Sequence, residues 1–232
     1  MIIAENLVRN GMAAGTAFMS ELTNLISSET LTRIIETGTY KGTGTTAAIL
    51  SGIRKHGMKS TFVTIEVNPE HHAIAVHNLV GRPVDCLQGL SIKAEDLPSP
   101  TQIKAWLDSF PETVIVDHQE ANRTQQYFKE TDHYGSSNLL ERAMLLTSHY
   151  PDLVVLDSAG YMGTLEFRYL MSLIPHEKEF YLALDDTNHV KHFKTVQEIE
   201  ANYRHKLIFS TDEKFGSRIY AIQTNGSSGG DA

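Results

Sequence analysis

Short apolar runs recur along the chain, separated by longer stretches in which apolar residues return every three or four positions. The runs are Arg33–Glu36, Thr61–Ile65, Val84–Leu87, Leu153–Leu156 and Phe180–Leu184. Each is rich in Val, Ile, Leu or Phe and too short for an ordinary helix, so each reads as a buried strand. The clearest helical stretch is "PEHHAIAVHNLV" (69–80). Asn68 can cap it, Pro69 suits its first turn, and Ala73, Ile74, Val76 and Val80 fall roughly on one face. A second is "GTLEFRYLMSLI" (163–174), with Leu165, Tyr169, Leu170 and Leu173 along one side. Strands alternating with helices predict a parallel sheet covered on both faces.

The end of the chain breaks that alternation. "HKLIFST" (205–211) and "SRIYAIQT" (217–224) are strand-like, with only "DEKFG" between them. So short a link permits a hairpin and forbids a helical crossover, which predicts an antiparallel finish to the sheet. The expectation is one domain over 1–224, with a helical N-terminal extension (1–30) and an insertion (111–137). The small, polar tail 225–232 reads as disordered. The insertion exceeds an ordinary connection and suggests a lid, a substrate-recognition segment or an oligomer contact. Within it, "TVIV" (113–116) could add a short strand.

Composition narrows the function. The chain has 232 residues, 41% of them hydrophobic, with a formal net charge of −8. That is enough apolar material for a substantial core. The acidic balance argues against nucleic acid or an anionic membrane as a partner through bulk electrostatics. The single cysteine, Cys86, excludes an intrachain disulfide and a cysteine metal cage and fits a reducing compartment. Glu5, Arg9 and Glu21 interrupt the N-terminal apolar residues, unlike a signal peptide. No apolar run approaches the roughly 18–20 residues that span a bilayer. A soluble, cytoplasmic protein is expected.

The densest chemical signal is "RIIETGTYKGTGTT" (33–46). A strand runs into Gly38, Gly42 and Gly44, and a helix begins near Thr45. Glycines there allow a tight turn and close backbone approach to a nucleotide-like cofactor. The spacing is G-x-x-x-G-x-G, not the dinucleotide G-x-G-x-x-G. Lys41-Gly42-Thr43 also lacks the G-K-[ST] order of a phosphate-binding loop. Glu36, just before the loop, would repel a pyrophosphate but suits a cation. Glu66 ends the second strand, where a carboxylate can accept both ribose hydroxyls of an adenosine. Together they point to S-adenosylmethionine, which carries an ammonium and a sulfonium and no phosphate.

"IIETGTYKGTGTT", "VTIEVNPEH" and "LVVLDSAG" resemble successive signatures of class I S-adenosylmethionine-dependent methyltransferases, over about Leu31 to Ile222. The resemblance implies a Rossmann-like, doubly wound α/β fold with a seven-stranded sheet, mostly parallel, with an antiparallel C-terminal hairpin. It also implies an adenine pocket near Ser91; Thr39 and Tyr40, inside the glycine loop, are candidate contacts to the methionyl part.

A second constellation lies further on. Asp157 ends the fourth strand, and Asp185 and Asp186 end the fifth. In a parallel sheet these ends meet at the ligand crevice, where three carboxylates would repel one another. A divalent cation removes that conflict, and all-oxygen ligation suits Mg²⁺, Mn²⁺ or Ca²⁺ rather than zinc. The spacing is similar to that of metal-dependent O-methyltransferases of the catechol type and of the macrocin and sugar type. That likeness implies a metal on Asp157, Asp185 and Asp186 that chelates adjacent substrate oxygens, with Asp157 also near the cofactor. Aspartates capping the local turns remain the alternative.

Related enzymes place a Lys or His three residues after the first metal acid; here Gly160 stands there. His189 is the chosen general base, with Asp186 beside it in a catalytic role. Lys191, His192 and Tyr161 are the other candidates. His118, His133 and Tyr134 in the insertion are candidate substrate contacts, Lys214 has no assigned role, and His71 and His72 read as solvated surface. The expected activity is methyl transfer to a hydroxyl of a small molecule, a sugar or natural product, in a protein with room for homo-oligomer contacts. A metal-independent methyltransferase, a non-catalytic adenosyl-binding module and a nicotinamide-dependent oxidoreductase are the competing readings.

Overall fold

The computed structural model describes the backbone of residues 2–3 and, with side chains, residues 15–116, 135–158, 162–175 and 177–224. The main sheet has seven strands, numbered here β1 (Arg33–Thr37), β2 (Thr61–Glu66), β3 (Asp85–Gln88), β4 (Leu153–Leu156), β5 (Glu179–Asp185), β6 (Arg204–Thr211) and β7 (Ser217–Gln223). Their spatial order is β3-β2-β1-β4-β5-β7-β6. The first five are mutually parallel, and β7 runs antiparallel to both neighbours. This is the expected Rossmann-like, doubly wound architecture with its terminal hairpin. The order reverses between β1 and β4, where Glu36 faces Val155 in register and Thr37 faces Leu156. A ligand crevice opens at such a switch point, beyond the carboxyl ends of the strands.

Seven helices lie among the described residues: α1 (Ala17–Ser28), α2 (Thr45–His56), α3 (Pro69–Asn78), α4 (Pro100–Asp108), α5 (Leu139–Leu146), α6 (Gly163–Leu173) and α7 (Phe193–Asn202). Local chemistry sets their ends. Thr16 caps α1 through the N–H of Met19, Asn68 caps α3 through Glu70 and His71, and Ser99 forms a reciprocal capping box with Gln102 on α4. Helix α2 ends in Arg54, Lys55 and His56, favourable at a negative dipole end, and stops at Gly57 in the left-handed conformation.

Strand alternation splits the core into two layers. Leu153 and Val155 of β4 face α1 and α2, packing with Phe18, Leu22, Ile26, Ile34, Ile49 and Phe62. Val154 and Leu156 face the other way, toward Leu140 and Met144 of α5, Phe167 and Leu170 of α6, and Ile199 of α7. A smaller cluster holds Ile103, Leu107, Phe110, Val116 and Val190.

Three local expectations are revised. Helix α3 does not bury the face formed by Ala73, Ile74, Val76 and Val80; Ile74, Val76 and Val80 are 41%, 44% and 75% exposed. Ala75 and Leu79 are its buried contacts, because the helix flanks the short outer strands and touches them along one narrow line. On α6 the fully buried positions include Glu166 and Phe167, not only Leu170 of the expected stripe. The "TVIV" segment supplies only Ile115–Val116, which pair in parallel with Ile2–Ile3 in a separate ladder. Residues 117–134 and 225–232 lie outside the described residues.

Candidate cofactor and active site

The chain leaves β1 through Gly38, whose φ is +85°. A Cβ there would stand 2.1 Å from the carbonyl oxygen of Asp157, so this glycine is required by the packing of one strand end on the next. The N–H groups of Gly38 and Thr39 both donate to the Ile65 carbonyl, at 2.9 and 3.2 Å. Gly42 also takes a positive φ, packed on Leu79, and Gly44 is the N-cap of α2. The loop is thereby folded back over the ends of β1 and β2.

Glu36 is fully buried. Its Oε2 accepts the hydroxyls of Thr46 and Thr64 at 2.7 and 2.6 Å, and Thr39 Oγ1 lies 2.6 Å from Thr64 Oγ1. Its Oε1 has no hydrogen-bond partner among the described residues. Burial pushes this carboxyl up to about 7, against the two hydroxyl donors. A buried, half-satisfied carboxylate beside a glycine loop is a strong acceptor for a cationic ligand.

Glu66 is 6% exposed. Its Oε2 accepts the backbone N–H of Tyr40 at 2.6 Å and its Oε1 that of Asn68 at 2.8 Å. One carboxylate thus ties the glycine loop to the start of α3. Burial raises its pKa against these donors. Each oxygen keeps a second lone pair for a ribose hydroxyl. Tyr40 takes φ +52° and packs edge-on against His71 at 4.5 Å between ring centroids, so His71 is part of the loop's support rather than bare surface.

Ser91 is buried, and its hydroxyl is directed to a residue that sequence reasoning passed over. Glu166 of α6 accepts hydrogen bonds from Ser91, from Ser158 at 2.7 Å and from Thr37 at 3.1 Å. These three hydroxyls sit at the ends of β3, β4 and β1, so one fully buried carboxylate gathers three strand ends. Burial raises its pKa, opposed by the same hydroxyls. The available signal was an acid on an otherwise apolar helix face, between Leu165 and Phe167.

Asp157, Asp185 and Asp186 do converge: one carboxylate oxygen from each lies within 4.8 Å of the others. Asp186 adopts φ +62°, a conformation aspartate tolerates better than most residues. The cluster already contains a cation. Lys191 Nζ lies 2.6 Å from Asp186 Oδ2 and 3.2 Å from Asp157 Oδ1. The second oxygen of Asp157 accepts Thr45 Oγ1 at 3.0 Å, and Asp185 Oδ1 accepts Ser217 Oγ at 2.7 Å. Burial pushes Asp157 up to about 6, with Lys191 opposing and Asp186 adding to the rise. Asp185 is raised well above the carboxylate range by burial and its two acidic neighbours. Burial works against the Lys191 ammonium, but Asp186, Asp157 and Asp185 outweigh it and raise its pKa. Three carboxylates without nitrogen or sulfur ligands have the right chemistry for Mg²⁺. With Nζ between Asp157 and Asp186, however, the cluster as arranged does not fit a divalent ion.

His189 is buried, 2% exposed, with its ring 5.6 Å from that of Phe215. Its Nδ1 accepts the backbone N–H of Lys191 at 3.2 Å, so the neutral ring carries its proton on Nε2. His192 is fully buried. Its Nε2 lies 3.1 Å from the Leu156 carbonyl, its Nδ1 3.3 Å from Thr195 Oγ1, and a Cβ at Gly163 would strike its ring at 2.4 Å. Burial, with the Lys191 charge, lowers its pKa well below the usual value and keeps it neutral. It is a wedge between β4 and α6, not a base. Lys214 sits at the β6–β7 turn with φ +55°. Gly160, Tyr161, His118, His133 and Tyr134 lie outside the described residues.

A Rossmann-like sheet with this strand order, a glycine loop after β1 and acids at the ends of β1 and β2 has the class I S-adenosylmethionine-dependent O-methyltransferase-like fold. Among solved structures, the cofactor-bound Rv0187 from MTB superposes with a TM-score of 0.54 at 16% identity, over 95% of this chain and 85% of that one. The O-methyltransferase from Bacillus cereus in complex with SAH gives 0.53 at 14% identity, over 92% and 84%. TomG from Streptomyces achromogenes, an O-methyltransferase involved in tomaymycin synthesis and bound to SAM, gives 0.53 at 14% identity, over 91% and 82%. No protein-family model and no curated protein matches the sequence. No helix among the described residues is long and apolar enough to cross a membrane.

Proposed function

We propose that this protein transfers a methyl group from S-adenosylmethionine to a hydroxyl of a small molecule. The observation that carries the proposal is Glu36: fully buried at the switch point, with one carboxylate oxygen bonded to threonines and the other without a partner among the described residues. An ammonium at that oxygen would supply the missing hydrogen bond and countercharge. Glu66, across the same loop, would take the ribose hydroxyls, and Ser91 would border the adenine. The methyl group would then point toward the ends of β4 and β5, where an acceptor oxygen must lie in line with the breaking S–C bond. Asp186 stands at that edge as a group able to receive the hydroxyl proton, whereas the expected base His189, with Nδ1 held by the Lys191 N–H and its proton on Nε2, would instead brace the turn. A sugar or natural-product acceptor is the reading in keeping with the sequence resemblance.

Support for Mg²⁺ on Asp157, Asp185 and Asp186 is their convergence. The ammonium of Lys191 between two of them favours the metal-independent form of the same reaction.

The test is calorimetry with S-adenosylmethionine and S-adenosylhomocysteine, followed by a screen of hydroxylated acceptors. Glu66→Ala should weaken cofactor binding by about 1.5–3 kcal/mol, the range for hydrogen bonds to a charged group. An unchanged dissociation constant in that variant would show the ribose site to be elsewhere. Binding without turnover on any acceptor would favour an adenosyl-binding module.

A further inference from the structure

We infer that the cation of the acidic cluster is the chain's own Lys191 ammonium, held where a divalent metal would sit, so that this site works without a metal. The inference deepens the proposed function and rests on it only for the naming of the site; the placement of Lys191 stands by itself.

The lysine is fixed at both ends. Its backbone N–H donates to His189 Nδ1 at 3.2 Å, and its carbonyl accepts Thr164 Oγ1 at 3.3 Å. The residues on either side are locked: Val190 is fully buried and its N–H donates to the Ile115 carbonyl at 3.0 Å, while His192 is wedged on the Leu156 carbonyl. Further back, Thr187 and Asn188 donate to the carbonyls of Gly216 and Phe215 at 3.0 and 2.7 Å. The turn between β5 and α7 therefore has little freedom to swing its side chains outward. The Lys191 side chain is 4% exposed, and it ends between Asp157 and Asp186. A surface lysine that merely drifted toward acids would be exposed and unanchored.

The spacing is that of an ammonium. Nζ stands 2.6 and 3.2 Å from its two oxygens, the span of a short and a long charged hydrogen bond, whereas a Mg²⁺ ion draws its oxygens to about 2.1 Å. A metal bound to Asp157 and Asp186 would need the volume Nζ fills, and would sit beside a positive charge. Thr45 and Ser217 hold Asp157 Oδ2 and Asp185 Oδ1, so each carboxylate of the cluster is tied to at least one protein donor. In this arrangement Asp157 and Asp186 position Lys191, and the ammonium presents the positive charge near the acceptor oxygen that a metal would otherwise supply. Lys191 also uses two of its three N–H donors on these acids, leaving one for a ligand oxygen.

The experiment measures Mn²⁺ binding by electron paramagnetic resonance, with Mn²⁺ alone as probe, on the full chain. The proteins are the wild type, Lys191→Met, and Lys191→Met combined with Asp185→Asn. The expected result is no saturable site in the wild type up to millimolar Mn²⁺. Lys191→Met should gain one site at least 10-fold tighter than anything the wild type shows, and the double variant should lose it. A stoichiometric Mn²⁺ site in the wild type would overturn the inference. So would a folded Lys191→Met protein that gains no site. If Lys191→Met does not fold, Lys191→Gln takes its place, and the wild-type titration decides by itself whether a metal is resident. S-adenosylhomocysteine binding is followed in the same samples. Its absence sinks the methyl-donor reading and leaves the lysine inference standing, while its presence with a wild-type Mn²⁺ site does the reverse.

Discussion

Glu36→Gln separates charge from shape at the core of the proposed cofactor site. In the fold, burial pushes the Glu36 carboxyl up to about 7, against 4.5 for a free glutamate, and the group is fully buried. Between those two values the folded state holds a proton that the open chain has lost. Stability therefore falls as pH rises through this window. At 1.36 kcal/mol per pKa unit, the ionised carboxylate costs about 3 kcal/mol at pH 8 and under about 1 kcal/mol at pH 5. Glutamine keeps an acceptor for Thr46 and Thr64 but does not titrate. The stability of the wild type relative to Glu36→Gln should therefore drop by about 2.5 kcal/mol from pH 5 to pH 8. Urea titrations of both proteins at several pH values measure it. Asp185 contributes to the pH dependence of both proteins, and the Glu36 charge adds to the rise at Asp157, so the difference between the curves reports Glu36 together with its effect on Asp157. Cofactor binding should show the opposite slope. An ammonium at Oε1 requires the ionised acid, so S-adenosylhomocysteine affinity in the wild type should fall about 30-fold from pH 8 to pH 5.5, and Glu36→Gln should bind weakly throughout. Parallel stability curves for the two proteins would refute the argument, because they would mean that Glu36 titrates as an ordinary acid.

The remaining predictions concern the walls of the site. Gly38→Ala should cost at least about 3 kcal/mol and abolish cofactor binding, since its Cβ meets backbone of Asp157 and its φ is positive. A loss below about 1 kcal/mol in urea unfolding would show that the two strand ends can separate. Glu166→Ala leaves the hydroxyls of Thr37, Ser91 and Ser158 without their acceptor and should cost about 2–4 kcal/mol, with Glu166→Gln losing less. Equal stability of wild type and Glu166→Ala would mean that the network carries no weight.

The strands were legible because their runs are short, apolar and punctuated, and because the terminal link leaves no room for a crossover. The carboxylate cluster was legible for a related reason: topology brings the ends of β4 and β5 together whatever the side chains do. Helix α3 was misread because periodicity reveals an apolar stripe but not how much sheet lies beneath it. At the edge of this sheet only Ala75 and Leu79 find cover. Glu166 was missed because a single acid in an amphipathic helix looks solvated unless its three hydroxyl partners, 8 to 129 residues away, are seen with it. In the sequence Lys191 stands out only as a candidate base. Sequence spacing showed that acids would meet and need a cation, and the cation lay six residues past the first of the pair, within the same loop.

The insertion of β4 between β1 and β5 has a consequence for how the chain folds. Glu36 and Glu66 lie in the first third of the sequence, but Gly38 finds its neighbour, Thr45 its acceptor and Thr37 its carboxylate only in residues 112 to 129 positions further along. Closing such distant pairs is entropically slow, so the β1-β2-β3 half can assemble well before the crevice exists. Ligand capture should therefore coincide with the last step of folding, the seating of β4. Recovery of S-adenosylhomocysteine binding during refolding would then serve as a clock for completion of the sheet rather than for its initiation.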